Sequence, residues 1–269
     1  MKDKSFSQEY IAYINGIKRK NVYIAIWRYF ILALFIALWQ INDSARWIDP
    51  FIASSPLRVG RTLYRLAVQG GLFRHACITV METVFGFVSG TLLGTAIAIA
   101  LWWYPSMARV LDPYIVILNA LPKVALGPLI LVVAGIGLKS ILIMALAISL
   151  ISTVISVHSG FIQTDEERIT LLLAFGATKW QLLTKAILPS SFENILSALK
   201  VNIGLSWVGV IMGEFLVSKA GIGYLIMYGS QVFNMDLVVT GILILSVAAG
   251  IMYLAVNYIV SQIKKFIRS

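Results

Sequence analysis

Apolar residues in this chain come in long unbroken runs, not in alternation and not on one face of a helix. Crossing about 30 Å of hydrocarbon at about 1.5 Å per residue takes about 20 apolar residues. Six stretches are long enough, at about 22–41, 76–103, 110–134, 140–157, 192–217 and 237–263. A helix apolar all round must bury every face in lipid or in other helices, so the pattern predicts six membrane-spanning helices. The second, fourth and sixth runs are uninterrupted. The first is shortened by Arg28, whose long side chain can snorkel to the interface. The third carries Asp112, Pro113, Pro122, Lys123 and Pro128, so it is expected to be kinked or broken and buried against protein. The fifth holds Glu193, Lys200 and Glu214.

The polar segments are read next. Residues 55–71, "SPLRVGRTLYRLAVQGG", set Leu57, Val59, Leu63 and Leu66 among arginines, which predicts a short interfacial helix. The other reading of that segment is a basic surface that attracts anionic solutes. The segment of about 159–190 reads as two short helices. Leu171, Leu172, Leu173 and Phe175 give the first an apolar face, and Gly176 breaks it. Thr178 is placed to cap the second, which presents Leu182, Leu183 and Ile187, and Pro189 starts the next run. Within the second run, Gly86, Gly90 and Gly94 form two overlapping G-x-x-x-G units, a stripe that lets another backbone approach closely.

Composition agrees with the runs. The chain is 59% hydrophobic and 13% charged, with mean hydropathy +0.87, against roughly 45–50% and about 25% for soluble domains. The net charge of +10 reflects basic residues flanking membrane helices, not a nucleic-acid surface. With the N-terminus inside, seven Lys and Arg fall outside (Arg46, Arg58, Arg61, Arg65, Arg74, Lys139, Lys219) and thirteen of the 22 inside, so both termini are expected in the cytoplasm. The first 21 residues lack a signal-peptide pattern and read as a cytoplasmic lead-in. Residues 22–269 read as one transmembrane domain.

Little here points to catalysis. Cys77 stands alone, and His75 and His158 lie near opposite predicted faces, so no metal site is expected. "GIGLKS" at Gly135–Ser140 lacks the second glycine of a phosphate loop, since Leu138 occupies that place. Ionisable groups inside spans cost about 2.5–3.5 kcal/mol or more, so each needs a cavity, a partner or the interface. Structural pairing or snorkelling suits Lys200 and Glu214, while Glu82 is as compatible with a solute path as with a structural role.

Gly176 together with Ile187-Leu188-Pro189 resembles the cytoplasmic "EAA" loop of ABC importer membrane subunits. The resemblance extends over about residues 55–262 through "SPLRV", "GFVSGTLLG", "LPKVALGPLILVVAGIG", "GLSWVGVIMGE" and "GIGYLI", and is similar to the nitrate/sulfonate/taurine/bicarbonate branch of type I importers. It implies an all-α, polytopic, type I (MetI-like) permease fold of about six membrane helices in a bacterial cytoplasmic membrane. It implies a loop of about 159–190 that acts as a coupling helix. Leu173, Ala174, Phe175, Gly176, Ala177, Thr178, Lys179, Trp180, Leu188 and Pro189 are then the ATPase-coupling residues. Implied partners are two ABC ATPase subunits, which would bind the ATP and magnesium that this chain does not, a second permease copy forming a homodimer, and an extracytoplasmic solute-binding protein. Glu82, Pro122, Trp207 and Glu214 are candidates for the translocation path. Two positions depart from the family pattern. Thr170 stands at the first acidic position of the loop signature, and Glu82 stands where sulfonate and taurine permeases carry Arg. The second leaves room for a neutral or cationic solute such as a thiamine-precursor pyrimidine. An ion-coupled secondary transporter would call for inverted repeats and acidic relays, and no repeat is visible. A structural membrane protein would not need the broken third run.

Overall fold

In lipid every backbone N–H and C=O must be satisfied within its own segment, so apolar runs become helices. The computed structural model describes residues 8–45, 54–69 and 71–268, and these contain helices and no strand. Lys2, Lys4 and Arg46, which entered the charge count, lie outside the described residues.

The chain starts with α1 (Gln8–Ala45), which continues from the lead-in into the first run without a break. The arginine-rich segment is α2 (Pro56–Val68), capped by Ser55, whose hydroxyl accepts from the Arg58 N–H. The second run is α3 (Gly71–Trp103). The third run splits into α4 (Pro105–Ala120), a 3₁₀ turn at Lys123–Leu126, and α5 (Gly127–Ala134), with a 90° bend between its halves. Pro122, which has no N–H to give, sits in the break. Beyond Gly135 and Gly137, at φ +82° and +129°, runs α6 (Leu138–Ile162). Next come α7 (Glu166–Ala174), α8 (Lys179–Leu182), a π-turn at Leu183–Ile187 and α9 (Leu188–Val217). The chain finishes with α10 (Ile222–Gln231) and α11 (Met235–Arg268). Among the described residues, five helices are long and apolar enough to cross a membrane, or six if the bent pair is one span.

The centre is α6, packed between α3 and α9 through small residues. A Cβ at Gly86 would stand 2.8 Å from Ala145 Cβ, one at Gly90 2.5 Å from Ser149 Oγ, and one at Gly94 2.7 Å from Thr153 Cβ. From the other side, a Cβ at Gly209 would stand 2.5 Å from Ala145 Cα. Ser149 and Thr153 return their hydroxyls to the Ala145 and Ser149 carbonyls, so these polar side chains cost little inside the bundle. Trp207 lies in a separate apolar cluster with Ile203 and Ile211, facing Leu245 and Ala248 of α11.

The third run is not buried by its own chain. No side chain of α4 is buried, and in α5 only Gly127 is. The expected protein cover is therefore missing within this chain, because α4 packs only at its margins while Tyr114, Val116 and Ile117 face outward. Helix α1 touches the rest mainly through α2, where Arg58 pairs with Asp43 at 2.8 Å and Trp39 Nε1 donates to the Ser54 carbonyl at 2.6 Å.

Candidate functional site

One end of the bundle carries a rigid projecting element, built turn by turn from its sequence. Asp165 caps α7 by accepting from the Glu167 N–H at 2.9 Å, and Glu166 and Glu167 complement the positive helix start. The helix ends in a Schellman arrangement. The Ala177 N–H donates to the Leu172 carbonyl at 3.0 Å and the Gly176 N–H to the Leu173 carbonyl at 2.9 Å. That closure places Gly176 at φ +78°, where a side chain is strained. Thr178 and Gln181 then form a reciprocal capping box.

After α8 the helix runs on into α9 through one π-turn, in which the Leu188 N–H reaches back to the Leu183 carbonyl. Pro189 follows directly. It cannot donate to a carbonyl one turn back, and its ring needs the room that a widened turn provides. Pro189 thus lies inside a continuous helical path, and the element is joined to a membrane span without a hinge loop.

The element has two faces. Leu183 and Ile187 are buried against Ala98, Val157, Phe161 and Ala198. Leu171, Leu173, Phe175 and Trp180 stay exposed, Phe175 to 81%. Four large apolar side chains on a rigid tip form a surface that water does not favour. Lys179 donates to the Trp103 carbonyl and lies 5.3 Å over the Trp103 ring, which tilts against Trp180 at 6.3 Å. The tip is therefore also tied to the end of α3, a contact between residues far apart in sequence that no local motif foretells. Ala174 ends α7, Ala177 lies in the turn between the two helices, and Leu188 opens α9.

Two clefts adjoin this element. One of about 320 Å³, between α7 and the start of α9, is lined by Arg168, Leu172, Lys185 and Pro189. The other, of about 500 Å³, lies between the ends of α3 and α6 and the start of α4, with Trp102, Arg109, Asp112 and His158 on its walls.

Of the four path candidates, the structure brings two together. Glu82 and Glu214 are both buried, with their carboxyls close to each other. Thr79 Oγ1 donates to Glu214 Oε1 at 2.6 Å, and the Gly223 N–H donates to Oε2 at 2.5 Å. Trp207 lies in its apolar cluster away from this pair, and Pro122 is exposed at the bend. His75, Thr79, Gly221 and Gly223 complete the network around Glu214, although nothing in the sequence marked them as its partners.

Residues 72–268 match the model of the family described as "Binding-protein-dependent transport system inner membrane component". A Bacillus subtilis permease named for aliphatic sulfonates is 29% identical, over 80% of this chain and 78% of its own length. The taurine transport system permease protein TauC of Escherichia coli is 26% identical, over 84% of each. Among solved structures, the inward-facing MetNI methionine ABC transporter has a chain that superposes with TM-score 0.58 at 19% identity, covering 75% of this chain and 97% of that one. This last likeness concerns the fold.

Proposed function

The chain belongs to the binding-protein-dependent transport system inner membrane components, the non-catalytic permease subunits of ABC importers, and from that premise we propose how it works. The α7–α8 element is the coupling helix. Its exposed Leu171, Leu173, Phe175 and Trp180 enter a groove on an ATPase subunit, with the basic rim of Arg168 and Lys185 beside them. Two permease copies meet through faces that include the uncovered α4 and α5, and each engages one ATPase, which binds ATP and magnesium. The α7–α8 end faces the cytoplasm. Helix α11 brings its C-terminal turns to that same end, where Lys264 meets Glu193 at 3.4 Å. Helix α1 meets α2 at the opposite end through Asp43 and Arg58, so its start also points to the cytoplasm. A solute-binding protein docks at the α2 and α10 end and delivers a small organic anion of the sulfonate or taurine type.

The observation that carries this reading is an exposed apolar tip rigidly continuous with a membrane span. A docked partner that moves Trp180 must move α9, because the helical path from Lys179 to Val217 has no loop to absorb the displacement. The test is ATP hydrolysis by the reconstituted complex in proteoliposomes. The expected result is stimulation by the cognate solute-loaded binding protein. Uptake driven by an ion gradient with no ATPase present contradicts the reading and favours a secondary transporter.

A further inference from the structure

Helix α1 is held to the body of the protein mainly at one end, and the gap this leaves has a definite shape. The most apolar stretch of α1 has no buried residue, and the helix is joined to the rest through α2. Arg58 of α2 bridges two acids. It meets Asp43, near the end of α1, at 2.8 Å and Asp236, at the start of α11, at 3.6 Å. Ser54 Oγ donates to Asp236 Oδ1 at 2.7 Å, and Trp39 Nε1 of α1 donates to the Ser54 carbonyl at 2.6 Å. This polar clasp sets the spacing of α1 and α11 at their shared end. Beyond it the two helices leave a groove of about 660 Å³ between them.

Phe35, Leu38 and Asn42 of α1 line the groove, facing Val239, Leu243 and Ser246 of α11. Asn42 lies at the clasp end. At the far end the Ser246 hydroxyl is returned to the Ile242 carbonyl at 2.8 Å, so that end is apolar in effect. Both helices are membrane spans, so the groove opens on hydrocarbon, and water inside it would find almost no hydrogen-bond partner. Asn42 to Phe35 and Val239 to Ser246 are each seven residues, about 10 Å at about 1.5 Å per residue, within half of a hydrocarbon core of about 30 Å. The groove therefore stays within one leaflet. A spanning helix from a second copy would need a seam of about 20 residues, whereas a lipid tail of that leaflet would not.

The clasp end also carries charge. Arg58, Arg61 and Arg65 stand three and seven residues apart on α2, which sets them on one helix face, and Arg61 and Arg65 are exposed. Asp43 and Asp236 are both engaged by Arg58, so the surface that remains is basic. A basic interfacial helix beside an apolar, one-leaflet groove complements a molecule that is anionic at one end and hydrocarbon at the other. We propose that this groove is a binding site for an anionic phospholipid. An acyl chain lies between α1 and α11, and the headgroup phosphate lies against Arg61 and Arg65. The lipid packs α1 onto the body where the protein itself does not, and so ties the placement of α1 to anionic lipid in the membrane. Which leaflet supplies it follows from the topology proposed above; the site does not rest on the coupling reading.

The test is photo-crosslinking of the full chain in its purified complex. The complex is reconstituted in phosphatidylcholine vesicles carrying a trace of phosphatidylglycerol with a diazirine on one acyl chain, and labelled peptides are identified by mass spectrometry. The label should concentrate within residues 35–42 and 239–246. Unlabelled phosphatidylglycerol should compete for it, and added phosphatidylcholine should not. Both results come from the unaltered protein and do not depend on how a variant folds. Ser246→Trp fills the groove and should cut this labelling about tenfold or more. Arg61→Gln and Arg65→Gln leave the groove intact and should each weaken phosphatidylglycerol labelling about fivefold, with labelling by a diazirine phosphatidylcholine unchanged. Label spread evenly over the lipid-facing sides of α1, α3 and α11 overturns the proposal. So does groove labelling that phosphatidylcholine displaces as well as phosphatidylglycerol does. So does a disulfide between two Leu38→Cys copies in a Cys77→Ser background, which puts a second permease chain in the groove. None of these readouts involves ATP or uptake.

Discussion

Phe175 and Gly223 show how differently two residues can matter. Phe175 is 81% exposed, so Phe175→Glu removes nothing from the fold, and its effect on stability should stay within about 0.5 kcal/mol. It puts a charge where an apolar partner surface is expected. We expect unchanged thermal unfolding of the purified chain together with loss of co-purifying ATPase; retained ATPase would remove Phe175 from the docking tip. Gly223 is the reverse case. A Cβ there would stand 2.7 Å from Glu214 Oε2 and 3.2 Å from the Ile211 carbonyl. Gly223→Ala should destabilise by about 1–3 kcal/mol, read as a lower melting temperature, with ATPase binding intact at low temperature. The sequence made Phe175 and Gly176 legible because their neighbours are local. It could not show that Gly223 and Thr79 serve Glu214, because Thr79 and Glu214 are 135 residues apart.

At the level of elements, α6 is held by two glycine stripes. The α3 stripe of Gly86, Gly90 and Gly94 stands out in the sequence as repeated G-x-x-x-G. The α9 contribution, Gly209 and Gly213, has the same spacing but is enclosed by Trp207 and Glu214, which drew attention to themselves instead. The α9 side is the less forgiving. At Gly209 the nearest atoms are the Ala145 Cα and N, which cannot rotate away. Gly209→Val should separate α6 from α9 and yield aggregated protein on size-exclusion chromatography, whereas Gly204→Ala, with nothing within 4 Å of its Cβ, should elute as the wild type. Equal elution of both variants contradicts this packing. The broken third run was legible from Pro122 and Pro128, since proline leaves a fixed mark on a helix. The π-turn at Leu183–Ile187 was not, because no residue pattern specifies an extra residue in a turn and only the continuity of α8 with α9 reveals it.

For the whole molecule, the six runs were readable, five as single membrane-length helices and the third as a bent pair, because in a bilayer the length of an apolar run decides whether it can span. What covers α4 was not readable, and within this chain α4 carries no buried residue. Topology is checked with Gly60→Cys and Thr178→Cys, both exposed positions at opposite ends of the bundle. An impermeant thiol reagent should reach position 60 in intact cells and position 178 only after the inner face is opened; the reverse order overturns the orientation. The central claim, that ATP hydrolysed on a partner drives this permease through the α7–α8 element, is tested most directly by Gly176→Arg. No atom of the protomer lies within 4 Å of a Cβ at position 176, so the arginine fits this chain and costs only backbone strain of about 1–2 kcal/mol. It projects from the docking tip, where losing a few kcal/mol weakens association by about 10² or more. The measurement is ATP-dependent, binding-protein-dependent uptake alongside ATPase pull-down from the same membranes. The expected result is a variant that inserts at wild-type level yet fails to transport, having lost the ATPase or hydrolysing ATP without uptake. Normal uptake with normal ATPase binding in Gly176→Arg contradicts the account.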